Sequence, residues 1–326
     1  MKVVLLGCGL VGRKRAEALG AHTLVGCADP IPERAAMLAA RHPGCRAFSD
    51  WQQALAETEA DLAVVATPHD ALPQVAAAAV SAGLHVLLEK PGARSGGELA
   101  PLAALAAEHR VRVHLGYNHR FHPALRQAHA LAMAGRIGAL THVRASYGHG
   151  GRPGYETEWR GRRESAGGGE LIDQGAHLID LSAWFLGPFS AASGVLRQSF
   201  WASEVEDNAF VLLETAGGQV AQLHASWTEW KNRFSFEIFG RTGKLEVTGL
   251  GGSYDPERLT LYTMRPELGP PDTEHWTFEG ADQSWHDEFS SFTAAIAEGR
   301  PPAVGLADGQ AVLDVIDRIY AAQVRP

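Results

Sequence analysis

Asp173 and His177 stand four residues apart in the run Gly167-Gly168-Gly169-Glu170-Leu171-Ile172-Asp173-Gln174-Gly175-Ala176-His177-Leu178-Ile179-Asp180. On a helix that spacing puts both side chains on one face, one turn apart. An imidazole beside a carboxylate is suited to accept a proton near neutral pH. Metal ligation and a helix-stabilising ion pair are the rival readings, and no third ligand stands at a convincing spacing, so no metal is expected. Lys90 lies in Leu88-Glu89-Lys90-Pro91, where a short apolar run ends. An ammonium group in such a place can hold an alcohol oxygen and stabilise the alkoxide that develops as hydride leaves. The bland alternative is an exposed lysine in a turn before proline.

A second group of residues suits a phosphate. Gly7-Cys8-Gly9-Leu10-Val11-Gly12 is a G-x-G-x-x-G placed directly after the apolar run 3–6. Its glycines permit a tight turn, close approach of the backbone to a pyrophosphate, and close helix–strand packing. The N–H groups of the following helix then face the phosphates. Asp29 ends the next apolar run, 22 residues after Gly7. A carboxylate there can accept both hydroxyls of an adenosine ribose and would repel a 2′-phosphate. NAD is therefore expected, with NADP as the alternative because Arg34 is close by; a solvated turn residue before Pro30 is the other reading of Asp29.

These residues need elements that position them. Apolar runs at 3–6, 24–28, 62–66, 85–88 and 111–115 alternate with helical stretches such as 32–41, 72–82 and 98–108. Short continuous apolar strands alternating with helices imply a parallel sheet buried on both faces. In such sheets ligands sit beyond the carboxyl ends of the strands, which is where Thr67, Pro68, Glu89 and Lys90 fall. The second half reads as a mixed or antiparallel sheet, with strands at 141–147, 208–215, 219–227, 234–239 and 244–247. Gly217-Gly218 and the stretch 240–243 supply turns. Helices at 284–298 and 307–323 close the chain, and 266–271 reads as a loop. The division expected is a doubly wound dinucleotide-binding domain over 1–118 and a second α+β domain over 119–326.

Composition narrows the class. With 29 basic and 37 acidic residues the net charge is −8, and no block of five or six basic residues interrupts it, so nucleic acid is not an expected partner. Three cysteines, Cys8, Cys27 and Cys45, are an odd number and all fall in the first 45 residues, which excludes a disulfide framework and shows no zinc-finger spacing. Cys8 shows no partner cysteine or activating group in the sequence, so no reactive-thiol role is expected. The apolar start MKVVLLGCG is too short to span a membrane, and a soluble, cytoplasmic protein is expected. His114, His119, His122, His129, His142 and His149 are dense but without ligand spacing; His119 or His122 is a candidate to line a site. Trp227 and Trp230 read as residues that pack under the sheet or at a subunit contact rather than stack on a sugar.

Taken together, the 7–12 loop, Glu89-Lys90-Pro91 and the 167–177 segment resemble the Gfo/Idh/MocA family, named for glucose-fructose oxidoreductase and inositol dehydrogenase. The resemblance extends through 116–123 (GYNHRFHP), Trp159-Arg160, Ser226-Trp227 and 239–243 (FGRTG). It implies a Rossmann domain followed by a domain with a large, mostly antiparallel sheet. It also implies hydride exchange between a nicotinamide and a secondary alcohol or ketone of a sugar, cyclitol or sugar derivative. By position it makes Lys90, Asp173 and His177 catalytic, and it places Asn118 and Arg120 near nicotinamide and substrate, with Trp159 a further substrate contact. Gly7, Gly9, Leu10, Val11, Gly12, Asp29, Thr67, Pro68, Glu89, Lys90 and Asn118 are the expected cofactor contacts. Where many members carry a histidine four residues after the proline of the fourth strand end, this chain has Leu72; His69 is out of register. Two other functions compete: an NAD-dependent glycosidase or eliminating enzyme with transient redox, and a non-catalytic dinucleotide-binding regulator. A homodimer or homotetramer is expected, because the second sheet has a face that needs covering. The arginines Arg152, Arg160, Arg162 and Arg163 would either meet an anionic substrate group or pair with Glu156, Glu158 and Glu164.

Overall fold

Val3, Val4, Leu5 and Leu6 expose none of their surface, and neither do Leu62, Ala63, Val64 and Val65. Strands so covered on both faces belong in the middle of a parallel sheet, and burial of each such valine or leucine side chain contributes about 1.5–3 kcal/mol. The computed structural model describes residues 1–267 and 269–323, which group into two units: 1–117 with 285–313, and 118–284 with the chain from 314 onward.

In the first unit the elements are β1 (Lys2–Leu6), α1 (Leu10–Glu17), β2 (Thr23–Ala28), α2 (Pro32–Ala39), β3 (Arg46–Phe48), α3 (Trp51–Glu57), β4 (Leu62–Val65), α4 (Leu72–Ser81), β5 (His85–Leu88), α5 (Gly96–Glu108) and β6 (Val113–Leu115). The six strands are parallel in the order β3-β2-β1-β4-β5-β6. The order reverses beside β1, and this is the switch point where doubly wound sheets take their ligands. Proline begins α2 at its first turn with Glu33 beside it, and Asp50 caps α3 by accepting from the Gln52 N–H at 3.0 Å.

The second unit is built on an eight-stranded sheet. Its elements are α6 (Pro123–Met133), β7 (Leu140–Gly148), α7 (Arg163–Ala166), α8 (Gln174–Leu186), β8 (Phe189–Arg197), β9 (Asn208–Thr215), β10 (Val220–Ser226), β11 (Arg233–Gly240), β12 (Gly243–Thr248), β13 (Glu257–Thr263) and β14 (Asp272–Phe278). The sheet order is β14-β13-β12-β11-β7-β10-β9-β8, antiparallel except where β10 runs parallel to β7. Ala221, Leu223 and Ala225 of β10 are buried under α8 while Gln222 and His224 face outward, as their alternation predicts. The helix α6 packs on β12 and β13.

Two helices end the chain, α9 (Ser284–Ala297) and α10 (Leu306–Gln323). A single cut at 118 does not describe these units. Phe289 and Phe292 of α9 join the core of the first unit beside Val3, Leu5, Val64 and Leu87. The 266–271 loop is irregular as read, except for Leu268, which lies outside the described residues.

Candidate active site

The first unit carries the glycine loop. Gly7 has φ of +102°, and a Cβ there would lie 2.4 Å from the Ala66 carbonyl oxygen. At Gly12 a Cβ would lie 1.9 Å from the Gly7 carbonyl oxygen, so neither position admits a side chain. Gly9 differs: as the N-cap of α1 it faces open space, with nothing within 4 Å of an added Cβ. The helix behind it has no side-chain cap and no acidic residue in its first turn. Its free N–H groups and positive dipole end are thus left to an anion. Leu10 is exposed and Val11 half-buried at the same turn.

Asp29 follows β2 and is buried. Its Oδ2 accepts the Cys8 N–H at 2.8 Å, its Oδ1 accepts the Ile31 N–H at 2.9 Å, and the Arg34 guanidinium stands 4.0 Å away. Each oxygen retains acceptor capacity for a further donor. After β4, the Thr67 hydroxyl oxygen is buried with no hydrogen-bond partner. An open glycine at a helix N-terminus, a fixed carboxylate and an orphan hydroxyl together fit a dinucleotide.

Lys90 follows β5, half-buried, in a cis peptide bond to Pro91. The Glu89 carboxylate beside it turns away into a buried ionic network that the sequence did not reveal. It accepts from the fully buried Arg15 guanidinium of α1, which also donates to Glu288 of α9; Glu288 pairs with His114 of β6 at 3.1 Å. Burial pushes Glu89 above the usual carboxylate range. At Glu288 burial acts in the same direction, but Arg15 and His114 outweigh it and hold the carboxyl below that range. Leu72, four residues after Pro68, is a fully buried residue of α4, and His69 is buried as well.

In the second unit, the glycine run is required by close approach. A Cβ at Gly168 would lie 1.8 Å from the Tyr320 hydroxyl, and one at Gly169 would lie 1.9 Å from the Glu206 carbonyl oxygen. The Glu206 carboxylate ties the loop down, accepting from the Gly169 and Leu171 N–H groups at 3.0 and 3.2 Å and from the Tyr320 hydroxyl at 2.7 Å. Asp173 is the N-cap residue of α8 and His177 lies in the helix's first turns. Asp173 accepts from Arg160 Nε at 3.2 Å, and the Arg160 guanidinium lies 4.4 Å over the Trp159 ring. The His177 ring is buried and stacked on His119, with centroids 3.7 Å apart and planes at 22°.

Around this pair stand residues that sequence reading did not single out. Tyr147 meets His119 edge-on and lies 5.2 Å from the Tyr254 ring. With its amide oriented to satisfy its neighbours, Gln174 accepts from His149 Nε2 at 3.2 Å and donates to Glu170 and to the Tyr147 carbonyl at 3.1 Å. Burial raises Tyr147 well above the ordinary phenol range and pushes Tyr254 up to about 12, while burial lowers His149. At neutral pH these groups are uncharged donors and acceptors. At Arg160 burial opposes the charge, but Asp173 outweighs it and the guanidinium is raised.

Other expected site residues have structural partners. Asn118 donates to the Ser284 hydroxyl at 2.8 Å, and Arg120 grips Asp180 of α8 through two bonds at 2.9 and 2.6 Å. His122 is held by Glu257 at 3.0 Å. Of the loop arginines, Arg152 pairs with Glu158, as one of the two readings had it, whereas Arg160 pairs with Asp173, and Arg163 donates its backbone N–H to the Glu204 carboxylate and its guanidinium to the Glu204 carbonyl. Trp227 is fully buried against Tyr155 and Val205, but Trp230 is exposed. Among the described residues no group of three or more His, Cys, Asp or Glu side chains could hold a metal, and no helix is long and apolar enough to cross a membrane.

A six-stranded parallel sheet with this glycine loop, joined to a mostly antiparallel eight-stranded sheet, defines an NAD-binding oxidoreductase of two-unit build. The chain belongs to the Gfo/Idh/MocA family: residues 1–117 match its oxidoreductase domain with the NAD-binding Rossmann fold, and residues 125–246 match its C-terminal domain. It is similar to levoglucosan dehydrogenase of Pseudarthrobacter phenanthrenivorans, 26% identical over 100% of this chain and 96% of that one. Inositol 2-dehydrogenase 2 of Saccharopolyspora erythraea is 30% identical over 67% of this chain and 64% of its own. The solved structure of levoglucosan dehydrogenase in complex with NADH superposes with a TM-score of 0.89 at 25% identity, covering 99% of this chain and 96% of that chain.

Proposed function

We propose that the protein oxidises or reduces a secondary alcohol/ketone position on an uncharged sugar or cyclitol, with NAD as the preferred cofactor. The carrying observation is the second unit's constellation: Asp173 and His177 at the start of α8, beside the neutral Tyr147 and Tyr254, the neutral His149 and the Gln174 amide, with Arg160 already neutralised by Asp173. A pocket wall of uncharged donors and acceptors suits hydroxyl groups. The pairing of Arg152 with Glu158 likewise favours a neutral substrate over a phosphorylated or nucleotide-linked one. The relatives named for levoglucosan and inositol support the same class.

The nicotinamide, when bound, accepts or returns the hydride. In the oxidising direction His177 takes the hydroxyl proton and Lys90 stabilises the developing alkoxide. Asp173, held by Arg160, orients the sugar through a neighbouring hydroxyl, and Trp159 and Asn118 flank it. Arg120, clamped by Asp180, serves as a positioning residue for the 118–121 turn. Gly7, Gly9, Leu10, Val11 and Gly12 receive the pyrophosphate, Asp29 the ribose, and Thr67 and Pro68 the far side of the dinucleotide, while Glu89 acts by fixing the chain before Lys90. The first unit is the cofactor domain and the second the substrate domain. The half-exposed apolar residues of the outer sheet face support assembly as a homodimer or homotetramer, and the free thiols fit a reducing, cytoplasmic compartment. The deciding experiment is a screen of free sugars, cyclitols and sugar phosphates with NAD and NADP in parallel, read by nicotinamide absorbance. Turnover of neutral polyols with NAD is expected. Turnover without net NADH would instead indicate transient redox, and no turnover across the panel would indicate a regulator.

A further inference from the structure

Three cysteines that are far apart in sequence converge behind the adenosine end of the glycine loop. Cys45 Sγ lies 3.8 Å from Cys27 Sγ; Cys27 Sγ donates to the Ala35 carbonyl at 3.3 Å, and Cys8 Sγ to the Ala28 carbonyl at 3.4 Å. Cys8 and Cys27 are fully buried, whereas Cys45 is partly exposed, and all are free thiols. The sequence did not place Cys27 and Cys45 together; parallel pairing of β2 with β3 does so.

We propose that Cys27 and Cys45 are a peroxide-oxidisable dithiol whose disulfide weakens NAD binding. The bond requires sulfurs about 2.05 Å apart, so the pair must close by roughly 1.8 Å. Gly44, beside Cys45, has φ of +82° and open space around it, leaving the 42–45 turn room to follow. Peroxide reaches the partly exposed Cys45. Its thiolate attacks one peroxide oxygen, forming an S–O bond, breaking the O–O bond and releasing hydroxide. The Cys27 thiolate then attacks the Cys45 sulfur, forming the S–S bond and expelling the second hydroxide. The two thiol protons neutralise the hydroxides, so two thiols and one peroxide give one disulfide and two waters. Hydrogen bonds from Cys45 and Cys8 lower the Cys27 thiol, which suits it to the second step, while the hydrogen bond to Cys27 and burial raise Cys45, which makes the first step slow.

The link to the cofactor runs through Asp29, and this part rests on the ribose role proposed above. Asp29 N–H donates to the Phe48 carbonyl of β3 at 3.2 Å, and its carboxylate accepts the Cys8 N–H. Drawing the start of β3 toward Cys27 shifts the Phe48 carbonyl that holds the Asp29 N–H, and moves the backbone that carries the carboxylate away from its Cys8 contact.

Treating the intact protein with hydrogen peroxide, alkylating it, and measuring mass and NAD affinity tests the proposal. Arg13, Arg34 and Arg41 put the three cysteines on separate tryptic peptides. The expected result is a mass loss of two hydrogens, a cross-link between the peptides containing Cys27 and Cys45, and one thiol alkylatable after unfolding in urea, against three in the reduced protein. The Kd for NAD, by calorimetry, should rise about tenfold, the size of one displaced charge-assisted hydrogen bond, and dithiothreitol should restore it. Cys45→Ser should bind NAD normally and show no response. A missing cross-link, a bond only between Cys8 and Cys27, an unchanged Kd in the cross-linked protein, or an equal loss of affinity in Cys45→Ser overturns the proposal. Asp29→Ala in the reduced protein is the control: unaltered NAD affinity there refutes the ribose role and the coupling through it, while the cross-link is judged by mass alone.

Discussion

An alanine methyl at Gly9 meets nothing, whereas at Gly12 it collides with the Gly7 carbonyl oxygen at 1.9 Å. The two positions therefore separate binding from folding. Gly9→Ala should keep the wild-type denaturation midpoint and raise the Kd for NAD, because the methyl occupies the space the pyrophosphate needs. Gly12→Ala should lower stability by about 1–3 kcal/mol through overpacking between α1 and β1. Equal unfolding midpoints for the two variants would remove this division of roles. His177 belongs to the same scale. Its ring is buried and fixed by stacking on His119, and a positioned general base contributes about 10² to 10⁴ in rate. His177→Ala should lower kcat by that factor with the Kd for NAD unchanged; a variant with wild-type turnover would take His177 out of the chemistry. The Asp173–His177 spacing was legible because both residues lie in one helical segment. The stack of His119 on His177 and the Arg160–Asp173 pair were not, since each joins segments separated by many residues and leaves no periodic trace.

Among the elements, legibility followed burial. Strands β1, β4 and β5 were readable because burial on both faces demands unbroken apolar runs. The three-residue edge strand β3 (RAF) and the edge strand β14 (DTEHWTF), mostly exposed, carry no such signature. The placement of α9 was missed for a different reason: its amphipathic pattern shows that it packs, but not on which sheet. What commits it to the first unit is Phe289 and Phe292 in that core, and Glu288 on Arg15. This pairing has a pH signature. The ordinary carboxyl value is 4.5, and Arg15 and His114 hold Glu288 below it against the opposing effect of burial. A depressed acid contributes stability that is fully present above the unfolded value and is lost as pH falls through the folded one. Glu288→Gln should therefore destabilise the protein at pH 7 by about 3–5 kcal/mol, the usual effect of stripping one partner from a buried pair. Its further loss of stability as pH falls below 4.5 should also be shallower than the wild type's. Urea midpoints from neutral pH down through the acid range measure both, and parallel curves for the two proteins would show that Glu288 does not control the acid limb.

At the scale of the whole molecule, the outer face of the eight-stranded sheet carries an apolar stripe, and the prediction is that a second copy of the chain covers it. Val195 of β8 and Phe210 and Leu212 of β9 are 46%, 47% and 51% exposed, and register aligns Val195 with Phe210 and Phe210 with His224, whose ring stacks on it at 4.3 Å. Toward the sheet centre the same face turns charged but internally neutralised, with Glu237 bridging Arg144 and Lys244 at 2.6–2.9 Å. An apolar stripe beside paired charges can meet a symmetry-related copy of itself without burying an unpaired ion. A standard stable interface buries on the order of 1,600 Å², an area a sheet of this width can supply. Light scattering should give a multiple of the 34.9 kDa chain. Replacing Phe210 with Asp and Leu212 with Lys should shift it toward a single chain. Because both side chains are half-exposed and leave the buried side of β9 untouched, the thermal midpoint of the dissociated form should fall only by the loss of association, and it should become independent of protein concentration. A wild-type protein that already runs as a single chain at micromolar concentration, with a concentration-independent midpoint, would leave this face as an ordinary solvated surface.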